Sequence, residues 1–279
     1  MSLRVVAKKE VLDAHRSYTL AATTVLFVIW AGFLAAIQWV PTFFRDSELS
    51  TSTLATMNSM QQSATFFVPL IGLLLGHAAI VDDRTSGRFK LVLSLPHSRR
   101  DYVFGKFLGR TVVLSAAILL GYGTAMVIGA LTYSSFSVRI VALYTLLTIL
   151  YGAVYVGVGL GLSVFTQSRT RAIAAAIGLY GLFLLFWDVF LLVLQLATVG
   201  STVPESGLPD WIEFVGLLNP STAFPYAARA LVPEFAEITL LPEPSAVYLQ
   251  NWIGFVVLAV WLVVPLGVGY LRFARRDLG

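Results

Sequence analysis

The sequence predicts an all-α integral membrane protein with six transmembrane helices. Hydrophobic residues make up 57% of the 279 positions and charged residues 12%, with a mean hydropathy of +0.81. A soluble domain carries about a quarter charged residues. Residues 17–44, 111–138, 140–168 and 244–271 each run for 28 or 29 positions without Asp, Glu, Lys or Arg. The Lys and Arg residues gather in the segments between alternate runs, as in a chain that crosses a bilayer repeatedly.

A bilayer core takes roughly 20 apolar residues per helix, which predicts spans near 19–40, 64–81, 111–132, 140–165, 172–197 and 251–271. The second is the shortest, because only the later part of the uncharged run 49–81 is apolar. The fifth is interrupted once, by Asp188. The first is too long for a cleaved signal peptide, and Gln38-Trp39-Val40-Pro41 is no small-residue cleavage site. With the N-terminus inside, the inner segments 1–18, 82–110, 166–171 and 272–279 hold sixteen of the nineteen Lys and Arg residues. Eight acids then fall on the outer side. The positive-inside rule therefore predicts that both termini are cytoplasmic, in a multi-pass protein of the plasma membrane.

Ahead of the first span, residues 2–17 predict an interfacial helix, with Leu3, Ala7, Val11 and Ala14 on one face and basic residues at the lipid headgroups. Residues 41–63 predict an outer loop rich in Ser and Thr, with Met57 and Met60 packing a short helix. The outer segment 205–245 contains "WIEFVGLLNPSTAFPYAARALV" (211–232), too apolar for a solvated loop. Pro220 and Pro225 divide it into pieces too short to span, which predicts re-entrant helices packed on the bundle. In the fourth span, Gly152, Gly157, Gly159 and Gly161 form a cluster of small residues that lets helices approach closely, and they predict a span buried between neighbours.

Several chemistries lack their motifs. There is no cysteine, so disulfides and thiolate metal sites are excluded. His15, His77 and His97 form no metal-ligand pair by spacing, and His77 reads as a packed polar residue. Gly161-Leu162-Ser163 has no following glycine for a nucleophile elbow. No phosphate-cradling GxxxxGK[ST] occurs, so ATP chemistry belongs to a partner. Asp188 is the one acid inside a span. Such a carboxylate is costly in hydrocarbon, which makes it a pathway candidate paired with Arg229 of the outer segment.

The segment "DDRTSGRFKLVLSLPHSRRDYVFGK" (82–106) holds six of the nineteen basic residues and a proline. Phe89, Val92, Leu93 and Leu95 offer one apolar side for a short helix, which Pro96 stops. Ser98 and Asp101 then form a capping box that opens the next span. The outcome is a short helix lying along the membrane surface.

That segment resembles the coupling helix of ABC-2 family transporter permeases. The family loop reads Glu-Arg-x-x-Gly-Thr-Leu-Glu, then Leu-Leu-Ser-x-Pro-x-Ser-Arg, then Gly-Lys. Asp83, Arg84, Gly87, Phe89, Leu93, Ser94, Pro96, Ser98, Arg99, Gly105 and Lys106 match it, and Asn219-Pro220 also resembles the family. Among subfamilies the chain is most similar to permeases related to nitrous-oxide reductase maturation, many of them archaeal. Arg outnumbers Lys fifteen to four, as suits a GC-rich or salt-adapted host. The resemblance implies an ABC-2, type V exporter-like fold, formed as a homodimer docked on ABC ATPase subunits. This chain would bind no cofactor, with ATP and Mg2+ held by the partner, and no nucleic acid is implied. Asp83, Arg84, Gly87, Arg88, Lys90, Ser94, Pro96, Ser98 and Arg99 are the implied contacts. Arg88 stands where the family pattern has a hydroxyl residue and Lys90 where it has an acid, so the surface is more basic and suits an acidic groove. Two rivals stand beside this reading: a secondary transporter centred on Asp188, and a membrane assembly protein without transport.

Overall fold

A computed structural model describes residues 3–15, 18–37, 52–85, 98–133, 136–201, 207–237, 239 and 246–275. Among them there is no strand. The helices are α1 (Leu3–His15), α2 (Tyr18–Ile37), α3 (Thr53–His77), α4 (Val81–Thr85), α5 (Arg99–Thr132), α6 (Val138–Phe165), α7 (Arg169–Thr198), α8 (Asp210–Leu217), α9 (Pro220–Leu231) and α10 (Ile253–Arg275). Short 3-10 turns cover Pro233–Glu237 and Val247–Leu249.

Among the described residues, five helical stretches are long and apolar enough to cross a membrane: Thr56–Thr85, α5, α6, α7 and α10. In α2 the apolar stretch Ala21–Ala36 is shorter. The fold is thus an all-helical membrane architecture built from these elements.

Helix α6 is the axis of the bundle. Of its most apolar stretch 67% is buried, against 6% for α7. α3, α5, α9 and α10 all pack against it. A Cβ on Gly159 would lie 2.9 Å from the Cα of Gly76, so α6 and α3 meet backbone to backbone. One on Gly161 would lie 2.6 Å from the Pro265 carbonyl oxygen of α10, and one on Gly152 2.7 Å from Leu114 Cδ2 of α5. Gly157 has only ordinary contact, 3.4 Å from Leu262 Cδ1. In lipid, where burial of apolar groups gives no drive for helix association, such close approach supplies the dispersion that holds helices together.

Three elements differ from expectation. The stretch 53–63 is not a loop but the first turns of α3, with Met57 and Met60 in the core. Its hydroxyls find partners inside the bundle: Ser63 Oγ donates to the Ser59 carbonyl at 3.0 Å, and Ser59 Oγ to that of Leu34 at 3.3 Å. Satisfied in this way, the polar residues are carried into a buried helix.

Within 211–231 the helix breaks at Leu218–Asn219, and Pro225 lies inside α9 rather than ending it. A proline there costs one backbone hydrogen bond near the start of a packed helix. Pieces of 8 and 12 residues remain too short to span.

The third difference is a π-helical turn, Leu182–Phe186, within α7. Asn219 addresses this turn. Its Oδ1 accepts from the Ser221 N–H, capping α9, while its Nδ2 donates to the Phe183 carbonyl at 2.8 Å. A π turn interrupts the regular helical ladder, and the Asn219 amide gives one of its carbonyls a partner outside the helix.

Candidate functional site: the basic end of the bundle

The segment 86–97 lies outside the described residues, and with it Gly87, Arg88, Lys90, Ser94 and Pro96. Its two stems are described: α4 on one side, and Ser98 with the start of α5 on the other. Both are fastened to the ends of other helices.

On the first stem, Ser163 Oγ of α6 accepts from the N–H groups of Ile80 and Val81, at 2.9 and 3.0 Å. Those donors sit at the start of α4, where helical N–H groups have no partner of their own. Arg84 Nη1 donates to the Thr166 carbonyl at 3.2 Å, at the C-terminal end of α6. A cation there also complements the partial negative charge of the helix end. Asp82 faces Arg169 of α7 at 3.7 Å, an exposed pair of little energetic weight.

On the second stem, Ser98 caps α5 by accepting from the Asp101 N–H at 3.0 Å. Arg99 Nη1 donates to the carbonyls of Phe273 and Ala274, at 3.2 and 2.7 Å, near the C-terminal end of α10. Tyr102 stacks on Phe273, with ring centroids 5.6 Å apart.

Between the stems lies a buried ionic cluster. Lys106 Nζ sits 2.6 Å from Glu10 Oε1 and 2.8 Å from Asp83 Oδ2, and all three side chains are at most 8% exposed. Arg110 Nε donates to Glu10 Oε2 at 2.8 Å, and Arg110 also bonds the Leu75 carbonyl. Tyr102 OH donates to Asp83 Oδ2 at 2.7 Å. Two acids face two bases. Burial pushes the Glu10 carboxyl up, but the charges of Arg110 and Lys106 outweigh it and hold the group below the usual carboxylate range.

Helix α1 reaches this cluster because α5 presents glycines to it. A Cβ on Gly105 would lie 2.7 Å from Val6 Cβ, and one on Gly109 2.7 Å from the Ala7 carbonyl. The side of α1 buried most deeply carries Val6 and Glu10, so an acid occupies the docked side of the expected interfacial helix. Sequence reasoning missed Glu10, Tyr102, Arg110 and Ser163. Of these, Arg110 had a readable signal in Gly105-Lys106-Phe107-Leu108-Gly109-Arg110, where a Gly-base pair repeats after four residues on one helical face.

The structure does not bring Asp188 and Arg229 together. Asp188 is exposed on α7, while Arg229 is 1% exposed on α9, and no ion pair joins them. Their separation follows from the faces of the helices: α7 turns Phe183 inward and Asp188 outward. Among the described residues, no group of three or more acids and histidines could hold a metal ion.

Comparison with known proteins addresses the same length of chain. One relative, named "Probable ABC transporter permease protein NosY", from Stutzerimonas stutzeri, is 30% identical over 285 aligned residues, covering 97% of each chain. A second of the same name, from Pseudomonas aeruginosa, is 29% identical, covering 98% of each. The family described as "ABC-2 family transporter protein" matches residues 4–278. The chain therefore belongs to the ABC-2 family of transporter proteins.

Proposed function

We propose that this chain is the permease subunit of an ATP-driven exporter, working as one of two identical copies on a pair of ABC ATPase subunits. Family membership supports the permease role, as do two nearly full-length relatives named as ABC transporter permeases. The observation that carries the coupling is the fastening of both stems of segment 86–97. Arg84 ties one to the end of α6, and Arg99 ties the other to the end of α10. A displacement of the segment is thereby passed to the central helix and the last helix together.

In this reading the bundle has six spans, α2 being the first, and the basic end is cytoplasmic, as the distribution of Lys and Arg favours. Both termini then lie inside the cell. The segment 86–97 forms a coupling helix whose Gly87, Arg88, Lys90, Ser94 and Pro96 meet the ATPase. Asp83, Arg84, Ser98 and Arg99 hold its stems. ATP and Mg2+ bind in the ATPase, and this chain has no enzymatic step of its own. The ATPase shifts the bundle only by as much as its contacts favour one state over the other.

Helix α7 supports the second copy. It is 30 residues long, 6% buried in its most apolar stretch, and carries the exposed Asp188. A carboxylate facing hydrocarbon costs about 3 kcal/mol, and a second subunit or a wet path between two subunits relieves that cost.

Reconstitution of the complex into vesicles tests the reading. ATP hydrolysis that depends on this chain, and is lost when Arg88 and Lys90 are both replaced by Glu, is the expected result. Hydrolysis indifferent to the permease would remove it.

A further inference from the structure

Glu10 is an acid on the docked side of α1, almost 100 residues from the charges it meets. It has no part in the ATPase contact proposed above. Its carboxylate nonetheless lies between Lys106 and Arg110, and Lys106 in turn holds Asp83, two residues before the last residue of α4.

We propose that Glu10 is a positioning residue for coupling: docked through α1, it balances, together with Asp83, the charges of Lys106 and Arg110, and so holds Lys106 in the geometry that fixes Asp83 and the stem of segment 86–97. This rests on the permease reading and deepens it.

Three observations carry the proposal. First, the cluster is balanced, with Glu10 and Asp83 against Lys106 and Arg110, and it is buried. Removing one member leaves a buried charge uncompensated, which costs far more than the pair itself contributes. Second, the docking is built to close tolerance. Gly105 and Gly109 admit α1 at distances that any side chain would obstruct, and they place Glu10 Cβ against the backbone of α5. Third, Asp83 is held twice, by Lys106 Nζ and by the Tyr102 hydroxyl, and Tyr102 stacks on Phe273 beside the Arg99 bond. The cluster therefore joins α1 and the first stem to the anchorage of the second. Without Glu10, Lys106 and Arg110 repel each other one helical turn apart with Asp83 alone to offset both, and the geometry in which Lys106 meets Asp83 beside α1 is no longer held.

The absence of cysteine from the chain makes a spin-label test direct. One pair of labels, at Leu12→Cys and Leu108→Cys, reports whether α1 stays docked; both side chains are exposed. A second pair, at Leu131→Cys and Val247→Cys, reports movement at the other end of the bundle. Distances are measured in the full complex with its ATPase, with and without ATP. In Glu10→Gln, assembly with the ATPase and ATP hydrolysis persist, while the ATP-driven change at the second pair is lost. Glu10→Asp restores it, as does Glu10→Gln combined with Arg110→Gln, which returns the cluster to neutrality. A full ATP-driven change in Glu10→Gln overturns the proposal. If that variant does not fold, the neutral double variant decides: recovery of both folding and the ATP-driven change supports the assignment, and failure to recover them overturns it. A wild-type chain with α1 docked but with no ATPase bound would instead overturn the permease reading on which the proposal rests.

Discussion

The Arg99 guanidinium donates to the Ala274 carbonyl at 2.7 Å, joining positions 175 residues apart. The bond ties the entry of α5 to the exit of α10, with Tyr102 stacked on Phe273 beside it. A hydrogen bond from a charged donor contributes about 1.5–3 kcal/mol, less where it is half-exposed. Arg99→Gln is expected to lower stability by about 1 kcal/mol. ATP hydrolysis by the assembled complex should persist while movement of the bundle is reduced. Thermal unfolding and a coupled flux assay read the two effects separately. A variant with unaltered flux would show that this tie carries no force.

Gly76 and Gly159 leave no space for a methyl group. A Cβ on Gly76 would lie 2.7 Å from both the Gly159 Cα and the Val156 carbonyl oxygen. Overpacking of this kind costs about 1–3 kcal/mol, so Gly76→Ala should lower the melting temperature in detergent. Gly123 has nothing within 4 Å of its added Cβ. Gly123→Ala should be neutral, or stabilising by about 0.5 kcal/mol or more, because alanine favours the helix.

The Glu10 carboxyl is held below its usual range, so it is charged in the folded protein at pH values where the unfolded chain begins to protonate. Its contribution is fully present above the unfolded value of 4.5 and is lost as pH falls through the lower folded value. Stability should therefore be insensitive to this group from pH 7 to about 5 and fall at more acid pH. Glu10→Gln should lose about 3 kcal/mol at pH 7, through the unpaired bases it leaves, and show a shallower acid limb. Parallel melting curves of the two proteins against pH check both points. Identical acid limbs would show that Glu10 does not titrate with folding.

Asn219 both caps α9 and holds the π turn of α7. Asn219→Ser retains a cap but cannot reach the Phe183 carbonyl, whereas Asn219→Ala loses both. Loss of the cap alone costs about 1 kcal/mol. Hydrogen exchange around 182–186 should rise in both variants, and stability should fall further in the alanine variant. Unchanged exchange in that turn would mean that neighbouring packing alone maintains it.

The broad architecture was legible because lipid imposes it. Long uncharged runs and the asymmetry of Lys and Arg follow from the bilayer, so the apolar helices appear in the residues directly. A local rule reached further at one point: Ser98 does cap α5. The early start of α3 was hidden because Ser, Thr and Gln read as loop residues until their buried partners are known. The π turn left no signal, since Leu182–Phe186 is as apolar as its surroundings. Glu10 was hidden in a different way. An acid on a basic amphipathic helix reads as a solvated face, and only the opposed Lys106 and Arg110 make it a buried one. Asp188 and Arg229 were joined by elimination, as the acid and base most out of place, and helix orientation separates them.

In the proposed mechanism, segment 86–97 receives force from an ATPase. The most direct measurement is purification of the tagged chain from its native host in mild detergent, with identification of the subunits that accompany it. A stoichiometric ATP-binding subunit should come with the wild-type chain and be weakened in Arg88→Glu with Lys90→Glu. A clean preparation of this chain alone, or an ATPase held equally well by the variant, would contradict the account.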